Sequence, residues 1–374
     1  MALTTALGLM SGTSMDGIDL ALLRSDGDSV VERGPGYAVA YDAPFRRKLE
    51  QGLQTAKAIV KREDRPGDLS TLEREITQRH ADAVAAFLRD VPAGWRDVDL
   101  IGFHGQTVLH RPHEGVTVQL GDGALLRHLT GVPVVYDMRA NDMKNGGQGA
   151  PLVPAYHAAL AKSLSASFSV ASPVTFVNIG GISNITYVPE FGDPIAFDSG
   201  PGNALIDQWV QREAGVPYDD GGRIASEGGV VREVVDRYLA RPFFGRSGPK
   251  SLDRLDFSLD EVAGLELANG ARTLAAVSAE AIMKSVDHLP RSPKLWIVCG
   301  GGRKNPNIIN DMRMLAEHAG SQVVLAEDAG FDGDAMEAEA WAYLAVRAQQ
   351  QLPLTFPTTT GSRIPVTGGI FAEF

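Results

Sequence analysis

The sequence predicts an α/β protein made of two duplicated domains, each on a mixed sheet, and three observations carry that reading. Residues 7–23 and 174–187 share one design, an apolar strand, a loop of Gly, Ser, Thr and Asn, then an alternating apolar strand. Recurrence of one supersecondary unit in a chain points to duplication. Strand-like and helix-like stretches alternate along the remainder, as in sheets flanked by helices. The chain has 374 residues, 44% of them hydrophobic, a length that favours two cores over one.

Taken in order, the first hairpin passes from Met10 through Gly12, Thr13, Ser14, Met15, Asp16 and Gly17 to Ile18 and Asp19. Glycines between strands allow positive φ and close approach, so that successive N–H groups can cradle an anion. Hydroxyls at Thr13 and Ser14 and a carboxylate at Asp16 add what a phosphate with a divalent cation requires, Asp16 being the candidate metal ligand. The same residues would also make an ordinary Asp-Gly hairpin turn. Residues 26–44 read as further strand and turn. A long helix is predicted from Ser70, where Ser70 and Glu73 have capping-box spacing and Leu72, Ile76, Val84, Phe87 and Leu88 form one face; it ends before Pro92.

Residues 99–103 read as a short buried strand, which puts His104 and Gln106 at its C-terminal end, where open α/β sheets bind ligands. His104 would meet a sugar hydroxyl there or satisfy a loop carbonyl. Residues 132–136 form another strand that empties into residues 137–151, a loop dense in functional groups and the candidate for both domain crossover and substrate contacts. The second hairpin carries Gly180 and Gly181. Residues 195–207 then read as strand, Gly/Pro turn and helix start. Asp198 at that strand end is a candidate general base; the alternative is that Asp198 or Ser199 caps the following helix. Residues 294–299 form a buried strand ending at Gly300, Gly301 and Gly302, a turn that suits an adenine or ribose ring but also an ordinary βα connection. Asn305 is set to cap the next helix with Pro306 in its first turn. Residues 335–347 form a small-residue helix, and residues 353–374 an ordered tail.

Composition narrows the function. A net charge of −11 speaks against nucleic-acid or anionic-membrane partners and leaves small molecules as the default ligand. The one cysteine, Cys299, excludes an intramolecular disulfide and a cysteine-rich zinc site, and reads as a buried small hydrophobe. The N-terminus lacks a basic leader, no apolar run reaches transmembrane length, and a cytoplasmic location is expected. The remaining histidines have no metal-ligand spacing.

Read together, residues 8–19, 104–107, 146–154, 178–181, 197–203, 248–251 and 299–302 closely resemble the motifs of the anhydro-N-acetylmuramic acid kinase family, in order and across nearly the whole chain. The resemblance implies a duplicated actin/hexokinase/Hsp70-like (ribonuclease H-like) fold around a central nucleotide cleft. It also implies ATP and Mg²⁺ as cofactors and 1,6-anhydro-N-acetylmuramic acid as acceptor, for peptidoglycan recycling. By motif, Asp198 is the implied base and Glu337 a carboxylate facing the sugar. Gly12 to Asp19, Gly180, Gly181, Gly200, Asn203 and Gly300 to Gly302 are implied on the nucleotide side. His104, Gln106, Arg139, Gly147 and Gln148 are implied on the sugar side. Ala140 and Asn141 depart from the family, which often has further arginines there. The expected domains are residues 1–131, completed by about 350–374, and residues 132–349; a homodimer is carried as an expectation. The alternatives are a kinase for another sugar on this fold and a non-enzymatic, ATP-regulated actin-like binding protein, which would need an extended apolar interface or an added domain.

Overall fold

The computed structural model describes residues 3–12, 15–164, 168, 172–252 and 256–373, so Thr13 and Ser14 of the predicted phosphate turn lie outside the described residues. The chain forms two compact units, Met1–Ser163 with Ala335–Phe374, and Leu164–Asp334.

The first unit is built on β1 (Thr4–Ser11), β2 (Gly17–Ser25), β3 (Val31–Ala40), β4 (Leu100–Arg111), β5 (Val116–Leu120) and β6 (Val134–Tyr136), and is completed by the returning strand β12 (Ile370–Ala372). Its sheet runs β12-β6-β4-β1-β2-β3, with β5 paired to β4. The second unit holds β7 (Val174–Ile179), β8 (Ile182–Val188), β9 (Ile195–Pro201), β10 (Leu295–Cys299) and β11 (Gln322–Leu325), in the order β11-β10-β7-β8-β9. In each unit the first three strands form an antiparallel meander and two later strands add in parallel beside the first, β4 and β6 in one unit and β10 and β11 in the other; in the first unit β5 and β12 then pair antiparallel at β4 and β6. The two sheets therefore repeat one ribonuclease H-like topology, and the duplication expected from the hairpins is present in the strand order itself.

The central strands explain why the meander holds. β1 buries Leu7 and Leu9 on one face and Ala6 and Gly8 on the other, the near-continuous apolar pattern of a strand covered on both faces. Gly8 pairs with Gly102 of β4, and a Cβ on either would overlap the carbonyl of Ala338 or Trp341 in the helix Met336–Gln349. The small-residue helix thus lies directly on the sheet backbone. In the second unit the helix Leu267–Lys284 does comparable work, with Gly270 pressed against the buried Trp209.

Several predicted boundaries move. The first unit runs to Ser163 and resumes at Ala335, where the sequence reading divided the chain at 131 and 349. The reason is pairing: β6 sits in parallel on β4, and the helix Met336–Gln349 covers the glycines of β1 and β4. Residues 137–151, read as the domain crossover, belong wholly to the first unit and include the short helix Ala140–Lys144. The long helix is Leu69–Asp90, entered from Asp68, so Ser70 is inside it and makes no capping box. Residues 26–44, read without helix, contain the start of Ala43–Ala56, whose cap Asp42 accepts from the Phe45 N–H. Asn305 caps its helix as expected, its side chain accepting from the Asn307 N–H.

Candidate active site

In the second unit the site is organised around Asp198. β9 continues to Pro201, so Asp198 lies within the strand rather than at its end, opposite Asn184 where the β8–β9 register shifts. Its backbone N–H donates to the Lys250 carbonyl at 2.9 Å, and its Oδ2 accepts from the Leu252 N–H at 2.7 Å. The capping alternative is excluded, because the next helix is entered through Asn203 and neither Asp198 nor Ser199 bonds to it; Ser199 instead meets the Ser183 hydroxyl at 2.8 Å. Burial raises the Asp198 carboxyl to about 6, against the opposing pull of the Leu252 N–H. A carboxylate tuned there is ionised at neutral pH yet basic enough to accept a proton, the compromise that general-base catalysis favours.

The glycines nearby divide into two kinds. Gly300 has φ +74°, and a Cβ on it would overlap the Asn178 side chain; Gly302 is closed by Ile179 in the same way. A Cβ on Gly301 would reach only Asn203 Nδ2, at 3.9 Å, so Gly301 presents open space. Gly200 also needs its hydrogen, since a Cβ would meet Ala281 at 2.6 Å. In the β7–β8 turn, the Gly180 carbonyl accepts from the Asn203 N–H at 2.8 Å, and Gly181 accepts from Gly202 at 3.0 Å and Ala204 at 3.1 Å. The N–H groups that lead into the helix Ala204–Ala214, from Gly202 to Ala204, are thus occupied by the turn itself. Asp207, in that helix, is raised to about 6 by burial and by the neighbouring Asp219. Cys299 is buried and donates weakly to the Val177 carbonyl at 3.3 Å, in keeping with a packing role.

In the first unit two of the residues predicted on the sugar side, His104 and Arg139, meet. His104 and Gln106 are not on a loop, because β4 runs on to Arg111; both are buried beside the β1 terminus. Gln106 Nε2 donates to the Gly12 carbonyl at 2.9 Å, and Ser11 Oγ donates to the Gly105 carbonyl at 3.0 Å. Arg139 donates to the Gly149 carbonyl at 2.8 Å and approaches His104 Nε2 at 3.0 Å. That contact requires Nε2 to accept, so the His104 proton sits on Nδ1. Burial and the Arg139 charge hold His104 well below the usual histidine range, and it is neutral. Trp341 lies 4.4 Å from His104 between ring centroids and 5.2 Å beneath the Arg139 guanidinium. Arg139 Nε and Gln106 Oε1 are buried with no partner, a donor and an acceptor that a bound polar molecule would satisfy.

Glu337, one turn before Trp341, has its carboxyl raised by desolvation, lowered by Arg139 and raised again by Asp16. The net direction is upward, and the residue remains open to solvent. Asp16 is exposed and Asp19 half-buried on the hairpin, whose ends are fixed by Met15 N–H on the Gly12 carbonyl at 3.2 Å and Tyr41 N–H on the Asp16 carbonyl at 2.8 Å. Met15 itself takes φ +55°, so the turn bends at a non-glycine residue.

A family model for anhydro-N-acetylmuramic acid kinase matches residues 4–373. The chain belongs to the anhydro-N-acetylmuramic acid kinase family. Proteins of that name from Agrobacterium fabrum and Brucella canis are 57% identical over 369 residues and 56% identical over 368 residues. The alignments cover 99% and 98% of this chain, and 98% of each relative. A third, from Rhizobium johnstonii, is 56% identical over 98% of both chains.

Against the family motifs, one residue escaped the sequence reading. Asp142 is buried, and its carboxylate accepts from the Gly149 N–H at 2.7 Å and from the Thr355 and Thr360 hydroxyls at 2.5 and 2.7 Å. It ties the 146–154 motif to the C-terminal segment. Gly147 is glycine because a Cβ would overlap that carboxylate, so its hydrogen is required by Asp142 before any ligand is considered. Gln148 is half-buried, its N–H donating to the Thr360 carbonyl at 2.9 Å. The signal was a carboxylate three residues after Arg139 and four before the Gly-Gly pair, which is legible only once the tail is known to return. Asn141 donates to the Thr367 carbonyl at 2.7 Å and serves the same tail.

Proposed function

We propose that this protein is an ATP-dependent kinase that opens the 1,6-anhydro ring of 1,6-anhydro-N-acetylmuramic acid with water and phosphorylates its 6-oxygen, giving N-acetylmuramic acid 6-phosphate and ADP. Family membership across residues 4–373 is the observation that carries this reading. The substrate is a fragment of peptidoglycan, so the reaction belongs to cell-wall recycling, and a cytoplasmic site, where ATP is available, is proposed with it. Among the described residues no helix is long and apolar enough to cross a membrane. A homodimer is proposed as the working state, to be checked by light scattering.

Asp198 takes the proton of the water that attacks the anomeric carbon. The bond from that carbon to the bridging oxygen breaks, the oxygen carries its electron pair to the γ-phosphorus, and ADP leaves. A buried carboxyl raised to about 6 fits the base. Arg139, Gln106 and His104 would hold sugar oxygens through their open or buried polar atoms, and Glu337 would accept from a sugar hydroxyl. The hairpin residues 12–19 would contact the β- and γ-phosphates. Among the described residues no three His, Cys, Asp or Glu side chains gather to hold a metal. One exposed carboxylate at Asp16 beside the phosphate turn nonetheless fits Mg²⁺, which is commonly held by one or two carboxylates and phosphate oxygens. Bound there, it would neutralise charge on the transferring phosphoryl group. Gly301 and Asn203 would face the nucleoside.

The test is direct. Protein incubated with MgATP and the anhydro sugar in ¹⁸O-water should yield the 6-phosphate with one ¹⁸O at the anomeric position, read by mass spectrometry. Product lacking the label would remove water attack, and no product would remove the substrate.

A further inference from the structure

We propose that Lys250 is a positioning residue for Asp198, its ammonium pinning the 242–252 segment so that the Leu252 N–H stays on the carboxylate. This rests on the reading of Asp198 as base. Residues 248–252 have no helix or strand of their own, yet they hold Asp198 from two sides, through the Lys250 carbonyl on its N–H and the Leu252 N–H on Oδ2. What holds the segment is the Lys250 side chain. Its Nζ donates to the Arg246 carbonyl at 2.9 Å and the Phe243 carbonyl at 3.4 Å. It also sits 4.7 Å from the Phe243 ring centroid and 5.2 Å from that of Phe197, the residue preceding Asp198 on β9. One ammonium therefore joins the turn Pro242–Gly245, the catalytic strand and its own segment.

Stability alone does not explain a charge in this slot. The aliphatic stem could pack between two phenyl rings without it, and burying an ammonium costs free energy. The neighbouring charges are also cationic: Arg246 on the same turn and Lys284 at the end of the helix Leu267–Lys284. His288 borders the group too, its Nε2 2.7 Å from the Phe244 carbonyl and its ring against Phe197. Burial and the two cations pull Lys250 down to about 8, so it is still mostly charged at neutral pH. What the charge supplies is one short donor bond to the Arg246 carbonyl and a longer one to that of Phe243, which together fix where the Leu252 N–H points.

The experiment compares pH profiles of kcat/KM for the wild type, Lys250→Met, Lys250→Arg, Asp198→Asn and the double variant, with melting and calorimetric ATP binding alongside. The wild type should show an acid limb near pH 6. Lys250→Met should move the limb upward by about one pH unit, so that the loss is about twofold at pH 7 and approaches about tenfold below pH 5, because a hydrogen bond that favours the ionised carboxylate is loosened. Lys250→Arg should keep the limb near its wild-type place, and ATP affinity should be unchanged in both. In the Asp198→Asn background, Lys250→Met should cost nothing further. An unmoved limb with only a lower melting temperature would overturn the proposal, as would losses that multiply in the double variant. Should Lys250→Met not fold, Lys250→Gln carries the same comparison. Near-normal turnover by Asp198→Asn would instead bring down the base assignment, so the two failures are distinguishable.

Discussion

The two hairpins that begin the two sheets have the same topology and opposite chemistry. Between β1 and β2 the turn is long, bends at Met15 and carries the Asp16 carboxylate, with its ends held by Gln106 and Tyr41. Between β7 and β8 it is only Gly180 and Gly181, and their carbonyls are met by the N–H groups of Gly202, Asn203 and Ala204. The first copy leaves the Asp16 side chain exposed on its turn. The second engages its turn carbonyls with its own backbone, and its third strand holds the buried Asp198 carboxyl. Duplication thus supplied two equivalent frames, and specialisation lies in which loop was lengthened and which strand acquired a carboxylate.

The largest expected effect tests that division at Asp198. Asp198→Asn keeps the shape and removes the base, so turnover should fall by roughly two or more orders of magnitude with ATP and sugar binding little changed. Glu337→Gln, in the first unit, should cost roughly tenfold and raise the KM for sugar rather than lower kcat alone. Steady-state kinetics of the pair checks both, and the reverse ranking would break the comparison.

Next comes nucleotide binding. Gly12→Val should weaken MgATP at least about tenfold in calorimetry while the melting temperature holds, because a branched side chain enters the phosphate approach. Gly180→Ala should do much less, since its Cβ would make only an ordinary contact with the Ile182 carbonyl at 3.5 Å and the turn's own bonds survive. If Gly180→Ala proves the more damaging to affinity, the second hairpin is a ligand loop after all.

A smaller effect separates fold from contact within one turn. Gly300→Ala should destabilise by about 2 kcal/mol, from positive φ and overlap with Asn178, whereas Gly301→Ala should stay within about 0.5 kcal/mol and report only on ligand approach. Urea titrations would show it. The smallest is pH-dependent. The Asp207 carboxyl is raised above its unfolded value, so the stability that its neutral form contributes is present below about pH 4 and lost as pH rises through about 6. Asp207→Asn should therefore gain about 1 kcal/mol at pH 8, after allowance for partial solvent access, and nothing at pH 4. Equal gains at both pH values would point to a packing effect instead.

The sequence made the hairpins, the buried strands and the Asn305 cap readable because each is a local pattern: alternation, an apolar run, a side chain two residues before the N–H it accepts. It misplaced what depends on distant partners. β4 looked short because His104, Gly105 and Gln106 are polar or flexible, yet β5 pairs with that stretch and prolongs it. Asp198 looked terminal because Gly200 and Pro201 resemble a turn, whereas β8 pairs through them across a register shift. Asp142 was invisible because its partners, Thr355 and Thr360, are more than two hundred residues away in sequence. For the site, residue types were legible and directions were not: no local pattern reveals that Arg139 reaches His104, or that helix N–H groups near Gly180 are already engaged.

The helix that lies on Gly8 and Gly102 follows the entire second unit in the chain. The unit Leu164–Asp334 is contiguous and can fold as soon as it has been synthesised, but the first sheet must wait, its glycine seam bare, until Met336–Gln349 arrives. A nascent chain stopped before Ala335 should therefore hold one folded half and one sticky, chaperone-dependent half. Moving residues 335–374 ahead of Thr4 by circular permutation should let the halves fold in the opposite order.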